Sequence, residues 1–339
     1  MPTETQTKTA RWKIVLGYSV FSLLALVLCF FLTFPYGALR ARIATEALNA
    51  GYVVRIEKLQ PGLFGITAKG VRLSMPPGPL SGETVAALTS GDPDTARLLA
   101  PAELGETLVL DSLSLRPTLF PLGVAFQANL LGGQITGGVG GRKELQVRLK
   151  ADRLDPSQGN LPHFTGLDLE GTLSGTLNLK MPVPDGPNGK QGEPDLSQAD
   201  GELSLEGQNL LLKGSVDGST LANANPTFGM LVQAGLPRIP MGELNAQIRF
   251  EKGQGTVEAL RLGGDQLEVQ GAGTLKLAKR LQYSEPAMDV KLRLEPELVK
   301  SLGPIGLGVN ILPPDKDDPK FRAGRLSGSF GKLSFLPKR

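Results

Sequence analysis

The side chains best suited to catalysis or metal binding are scarce in this chain. Its 339 residues include one histidine, His163, and one cysteine, Cys29. A tetrahedral zinc site needs several such ligands, so no Cys/His zinc cluster can form. A Ser–His–Asp triad would have to use His163, which lies in GNLPHFTG, a link before a strand pattern that lacks the motif context of a triad. Cys29 lies inside a long apolar run, which argues against a Cys–His pair.

Acidic and glycine-rich segments offer no better active site. DKDDPKF (315–321) lies among prolines and lacks the spacing and glycine of an EF-hand loop, so we expect it to be solvated. GGQITGGVGG (132–141) lacks the GxxxxGK[ST] pattern of a phosphate-binding loop. Asp168 and Glu170 alternate with leucines, as residues on the solvated side of a strand do. The sequence therefore predicts a protein that is not an enzyme and uses no cofactor.

The overall composition argues against nucleic acid as a partner. Lys and Arg total 36 and Asp and Glu total 33, a net charge of +3, and no basic cluster is interleaved with aromatics. This balance predicts no nucleic-acid partner. Aromatic residues make up only 5% of the chain, so its apolar content is mostly aliphatic. The length allows two ordinary domains or one large all-β domain.

An N-terminal apolar run predicts a membrane anchor. Residues 14–34, IVLGYSVFSLLALVLCFFLTF, carry no charge. As a helix they would rise about 31 Å, close to a hydrocarbon thickness of ~30 Å. The run is longer than a signal-peptide core and no A-x-A-like cleavage site follows it. The basic tail, residues 1–13, favours a cytoplasmic N-terminus. The predicted membrane-interface residues are Trp12, Lys13, Tyr36, Arg40 and Arg42.

Helical spacing returns once, directly after this run. Leu39, Ile43 and Ala47 recur at helical intervals, and Gly51 suits the position after a helix end. Residues 35–51 are therefore predicted to form a short amphipathic helix. The helix could lie on lipid headgroups or cap one end of the following domain, and the spacing is compatible with both.

From residue 52 onward the chain alternates with the period of two that is typical of half-buried strands. The clearest examples are LDLEGTLSGTLNLKM (167–181) and DQLEVQGAGTLKL (265–277). Their predicted apolar face consists of Leu167, Leu169, Leu173, Leu177, Leu179, Leu267, Val269, Leu275 and Leu277. Glycines on the same face, predicted to bend the strands or admit another side chain, are Gly171, Gly175, Gly271 and Gly273.

These elements predict an all-β protein: one N-terminal transmembrane helix, then a large, mostly antiparallel, curled or folded-over β-sheet with two or three short helices. Residues 52–339 would form one translocated β-domain, with a candidate lobe boundary in the loop 182–200. An irregular insertion is expected over residues 76–105. One apolar face supplied by many strands can be buried in a sandwich, in a closed barrel or in an open groove.

Three segments carry a resemblance to a known family. They are FPYGALRARIATEALNAGYVVRIEKLQPGLFGITAKGVRLS, LPRIPMGELNAQIRFEKGQGTVEALRLGGDQLEVQGAGTLKL and the closing MDVKLRLEPELVKSLG…GRLSGSFGKLSFLP. Together they resemble the type II secretion system protein N family (GspN). More loosely, the chain resembles the AsmA-like proteins, which carry elongated β-sheets thought to hold acyl chains.

The resemblance implies two functions. In the first, the chain is a structural and interaction subunit of the general secretion pathway, anchored in a bacterial inner membrane with its bulk in the periplasm. Its partners would be other secretion subunits, reached through exposed strand edges. In the second, an apolar β-groove binds membrane lipids or moves them. Neither family implies a catalytic residue.

Overall fold

The structure contains a long N-terminal helix, several shorter helices and one large sheet. The computed structural model describes residues 6–49, 51–62, 65–76, 78–97, 99, 101–184, 192–216, 233, 235–330 and 332–337. The helices are α1 (Gln6–Thr33), α2 (Tyr36–Asn49), α3 (Gly82–Thr89), α4 (Pro93–Arg97), α5 (Pro101–Leu104), α6 (Leu161–Thr165), α7 (Pro296–Ser301) and α8 (Pro304–Asn310).

The strands follow one another along the chain with few interruptions. They are β1 (Val53–Gly62), β2 (Gly65–Ser74), β3 (Thr107–Leu119), β4 (Leu122–Leu130), β5 (Gly133–Gly140), β6 (Glu144–Leu154), β7 (Leu167–Pro182), β8 (Asp200–Ser215), β9 (Ile239–Glu251), β10 (Gln254–Gly263), β11 (Leu267–Lys276), β12 (Glu285–Leu294), β13 (Arg322–Ser329) and β14 (Lys332–Pro337).

All 14 strands form a single sheet whose spatial order is the chain order. Every neighbouring pair is antiparallel. Within the described residues β1 pairs only with β2 and β14 only with β13, so the sheet does not close. The antiparallel all-β prediction is confirmed, and the closed-barrel alternative is wrong.

Two-residue turns connect several strands, which is why consecutive strands are neighbours. β9 and β10 are joined at Lys252 and Gly253, whose φ angles are +49° and +76°. Positive φ at both central residues gives the turn whose twist matches that of the flanking strands. The local sequence thereby directs each strand back along the one before it.

The sheet continues through the candidate lobe boundary. β7 and β8 are 16 residues long each and pair from Leu167 opposite Ser215 to Lys180 opposite Asp200. The loop 182–200 therefore connects two strands of one hairpin, although its residues 185–191 lie outside the described part of the chain.

Short helices are more numerous than the two or three predicted. Besides α2, the described residues include α3 to α8, each four to eight residues long. Three of them lie in the predicted irregular insertion, where Ser81 caps α3 by accepting a hydrogen bond from the Thr84 backbone N–H at 3.2 Å. The number of such helices is underestimated from sequence because one or two turns do not establish a 3.6-residue period.

Helix α1 includes most of the apolar run 14–34, and Trp12 and Lys13 are exposed on it. In the part of the chain that the structure describes, no helix meets the combined requirements of length and apolar character for crossing a bilayer.

The buried apolar side chains form four local clusters. One contains Ile56 and Val71 of β1 and β2, against which Tyr36, Leu39 and Ile43 of α2 pack. Helix α2 therefore covers the β1 end of the sheet, the second of the two positions that its sequence allowed.

Candidate functional site

An unbroken row of apolar positions crosses the whole sheet. Starting from Leu177 in the middle of β7, the residue directly opposite on each successive strand is apolar in both directions. We call this set the central apolar row: Pro61, Ile66, Leu115, Phe126, Gly137, Leu149, Leu177, Leu203, Ile248, Val257, Gly273, Met288, Leu326 and Phe335. At a strand spacing of about 4.8 Å, the row extends roughly 60 Å.

The row is only half covered. Its members from Ile66 to Leu326 are half-buried, except for Val257, which is buried. Pro61 and Phe335, at the two ends, are exposed. A second sheet packed on this face would bury the middle of the row, so the sandwich alternative does not describe it. A contiguous row of partly exposed apolar residues is typical of surfaces that bind a ligand, a membrane or another protein.

Large side chains on adjacent strands occupy the space beside two glycines of the apolar face, Gly137 and Gly271. A Cβ at Gly137 would lie 2.7 Å from the Phe126 ring and 2.8 Å from a Leu149 methyl. A Cβ at Gly271 would lie 2.4 Å from Leu260 Cδ2. At these two positions a neighbouring side chain therefore takes the space that a Cβ would need, which keeps the apolar layer continuous.

The nine predicted apolar residues lie on this face. Leu167, Leu169 and Leu267 pack in one cluster with Leu212 and Ile239, near Leu298 of α7. Leu179, Leu275 and Leu277 pack in another with Met181 and Phe250. Leu173 lies opposite Gly207, Leu177 belongs to the central apolar row, and Val269 lies between Leu262 and Leu292.

The four predicted bend glycines differ from one another in backbone conformation. Gly171 (φ +122°) and Gly273 (φ +146°) have positive φ, and Gly171 lies at a register shift between β7 and β8. A Cβ at Gly175 would lie 2.8 Å from the Ser204 backbone oxygen and 3.3 Å from Leu205 Cδ1, whereas a Cβ at Gly271 would meet Leu260. Only the first pair uses a conformation that L side chains rarely adopt.

The opposite face of the sheet is polar. One position along from the central apolar row, the cross-strand neighbours from β1 to β9 are Gln60, Thr67, Ser114, Gln127, Thr136, Lys150, Thr176, Ser204 and Gln247. Thr67 and Ser114 share a hydrogen bond of 3.2 Å between their hydroxyls. The period-two alternation thus separates an apolar face from a polar one across the sheet.

The apolar face includes a cavity beside α2. This cavity, of about 390 Å³, is bounded by Leu39 and Ile43 of α2 and by Ile66 and Leu115 of the central apolar row. Its lining is otherwise apolar apart from Arg116. Because Ile66 and Leu115 belong to both, the cavity continues into the row.

The predicted interface residues have separate environments. Arg42 is exposed on α2, whereas Tyr36 contacts the Phe34 ring at a centroid distance of 5.0 Å. Arg40 is half-buried and donates from Nη1 to the backbone oxygen of Gly91 at 2.7 Å. Arg40 thus points toward the protein, a placement that helical spacing alone did not indicate.

The acidic clusters include a correction. Asp315, in the segment predicted to be solvated, is buried and accepts from Lys291 Nζ at 2.8 Å. This bond lowers the pKa of Asp315, and the backbone N–H groups of Asp318 and Asp317 contribute to the shift.

The single histidine and the single cysteine are both exposed, His163 on α6 and Cys29 on α1. Among the described residues, no three His, Cys, Asp or Glu side chains are grouped to hold a metal ion.

Comparison with known proteins returned no family model, no curated protein and no solved structure that matches the chain.

Proposed function

We propose that this protein binds lipid, with acyl chains lying along the central apolar row. The observation that carries the proposal is the continuity of the row: every one of the 14 strands contributes an apolar residue, and most of these are half-exposed. Hydrocarbon needs no directional partner and gains about 0.8 kcal/mol per CH₂ buried. A surface without polar interruptions suits it, and the cavity beside α2 provides a starting point.

Membrane anchorage is part of the proposal. The charge-free run 14–34 supports it, and all but the last of these residues lie in α1. The basic residues before the run support a cytoplasmic N-terminus, with the sheet on the periplasmic side of a bacterial inner membrane. Helix α2 follows α1 directly and packs on β1, so the cavity would lie at the membrane end of the row.

Two adjacent residues of β7 provide the test. Leu177→Asp places a charge in the middle of the central apolar row, whereas Thr176→Asp places the same charge on the polar face. The full chain is purified in mild detergent, and its bound lipid is extracted and quantified by mass spectrometry. We expect lipid with the wild type and with Thr176→Asp, and a several-fold loss with Leu177→Asp. A lipid-free wild type, or equal lipid in both variants, would contradict the proposal.

A second candidate function is that of a structural subunit of the type II secretion system. The edge of β14 favours it, because Leu333, Phe335 and Leu336 are exposed there and, among the described residues, no strand pairs with the other side of β14. An edge of this kind can pair with a strand of a partner. The test is a pull-down from detergent-solubilised membranes at near-native expression, with Leu336→Lys as the edge variant. Recovery of no secretion subunit by the wild type would count against this role.

A further inference from the structure

A small charged cavity adjoins the apolar cavity beside α2. Its lining includes Arg40 of α2, Arg55 of β1 and Arg72 of β2. Val54 and Ile56 line both cavities, so the guanidinium groups lie at the border of the apolar surface. The charged cavity has a volume of about 30 Å³. That is room for one or two oxygen atoms rather than for a whole ligand.

Two of the three arginines, Arg40 and Arg55, have an unsatisfied side-chain N–H donor. Arg40 Nε and Arg55 Nε are buried and have no hydrogen-bond partner among the residues that the structure describes. The remaining contacts of Arg55 are weak, since its Nη2 donates to Thr107 Oγ1 at 3.4 Å. Arg72 differs because its Nη2 is paired with Glu57 Oε1 at 2.8 Å.

The two acidic residues of the lining act on the arginines through their charge, Glu57 on Arg55 and Asp92 on Arg40, and each also accepts hydrogen bonds from other groups. Glu57 holds Arg72, and Asp92 accepts from the backbone N–H groups of Asp94 and Thr95 at 3.2 and 3.3 Å. Burial, followed by the nearby charge of Arg72, lowers the pKa of Arg55 by more than the charge of Glu57 raises it, so negative charge compensates this guanidinium only in part. Guanidinium groups satisfy such a deficit best with phosphate or carboxylate oxygens, which accept their hydrogen bonds in pairs.

We propose that Arg40 and Arg55 bind the anionic headgroup, a phosphate or carboxylate, of an amphiphile whose acyl chains lie in the adjoining apolar cavity. The inference rests on the proposed lipid-binding function and adds the class of lipid. The 30 Å³ cavity takes the headgroup oxygens, and Val54 and Ile56 lead from it to the apolar surface. Because α2 supplies both Arg40 and the cavity wall, one helix contacts the head and the chains.

Lipids with matched acyl chains test the proposal. The full chain in detergent is titrated with phosphatidic acid and with diacylglycerol, which lacks the phosphate. We expect the wild type to prefer phosphatidic acid. Arg55→Gln and Arg40→Gln should each weaken phosphatidic acid binding about tenfold, equivalent to ~1.4 kcal/mol, and leave diacylglycerol binding unchanged. The control is Arg42→Gln, an exposed position on the same helix, which should change neither affinity.

The possible outcomes distinguish failure of the headgroup site from failure of the proposed lipid-binding function. Equal wild-type affinity for both lipids overturns the headgroup site and leaves lipid binding intact, whereas binding of neither lipid overturns the proposed function itself. The lipid-free protein could bind inorganic phosphate saturably while the wild type shows no preference between the two lipids. This result would mean that the arginines bind a free anion, and it would overturn the proposal. If Arg55→Gln does not fold, the proposal is tested by the wild-type preference for phosphatidic acid and by the phosphatidic acid affinity of Arg40→Gln.

Discussion

Glu268 of β11 is a buried carboxylate between two arginines. Its Oε1 lies 3.1 Å from Arg261 Nη2 on β10, and its Oε2 lies 2.9 Å from Arg293 Nη2 on β12. Gln270 donates a further hydrogen bond of 3.0 Å. The bond from Gln270, followed by that from Arg293 and the charge of both arginines, holds the pKa of Glu268 below its ordinary value despite burial. One carboxylate thereby connects three strands on the polar face.

Replacing this carboxylate should loosen the three strands. We expect Glu268→Gln to lower the opening free energy of β10–β12 by about 1–2 kcal/mol at neutral pH, because charged hydrogen bonds are lost. A depressed folded-state pKa stabilises the fold above the unfolded pKa of about 4.3. The difference from wild type should therefore disappear as pH falls through the folded-state pKa. Amide hydrogen exchange over an acid pH series measures it.

The control for this experiment is Glu258→Gln. Glu258 pairs with Arg249 at 3.1 Å, but both side chains are well exposed, so we expect a change of about 0.5 kcal/mol or less. An equal effect of the two substitutions, or a Glu268→Gln effect that does not depend on pH, would contradict the assigned role of Glu268.

At the scale of the element, β11 carries two glycines with different functions. At Gly271 the space above the strand is taken by Leu260 of β10. At Gly273 the φ angle is +146°, and an added Cβ would lie 2.3 Å from the backbone oxygen of Ala287 on β12. A flexible side chain can move out of the way, but a paired backbone cannot.

We therefore expect Gly273→Ala to destabilise β11 more than Gly271→Ala. The costs should be about 2–3 kcal/mol for the first, from strain and a backbone clash, and about 1 kcal/mol for the second. Leu260→Ala should cost less in the Gly271→Ala background than in the wild type, because the new methyl occupies part of the space that Leu260 leaves. Hydrogen exchange at β10–β12 in the four variants measures these differences. Equal destabilisation by the two substitutions would contradict the assigned difference, in which Gly273 is restricted by the backbone and Gly271 only by the Leu260 side chain.

At the scale of the whole molecule, the sheet is a linear array. Each strand pairs with the strands before and after it in the chain, and in the described part of the chain neither β1 nor β14 has a second partner strand. The stability of such an array is approximately a sum of nearest-neighbour terms, as in repeat proteins. β7 and β8, the longest strands, lie in its middle, and the shortest, β14, forms one edge.

We expect unfolding to proceed from the β14 edge rather than all at once. Opening free energies from hydrogen exchange in a denaturant series should be lower at β13–β14 than at β7–β8 by about 2 kcal/mol or more. At the β1 edge, α2 packs on the first strands and should raise protection relative to β14. Simultaneous exposure of all strands at a single denaturant concentration would contradict a linear array.

Some features of the site could be predicted from sequence and others could not. The nine apolar positions on β7 and β11 were recognisable because alternation assigns a face to each residue of a strand. The burial of Glu268 and Asp315 was missed, since each depends on a cation from a distant segment, Arg293 or Lys291. Arg55 was missed as well, because VVRIEKL contains no signal that its Nε is buried. The family, the membrane anchor and the secretion role remain predictions.

The sequence by itself determined that the chain is an antiparallel array of half-buried strands, because the period of two and the turn residues act over a few neighbouring positions. Only the tertiary structure decided that the sheet stays open, that one apolar residue from each of the 14 strands falls in a single row, and that Leu260 lies over Gly271. These features depend on the register of every strand pair and on twist accumulated across the sheet, which no local pattern contains. The meeting of Arg40 and Arg55 beside that row has the same origin, since the packing of α2 on β1 brings them together.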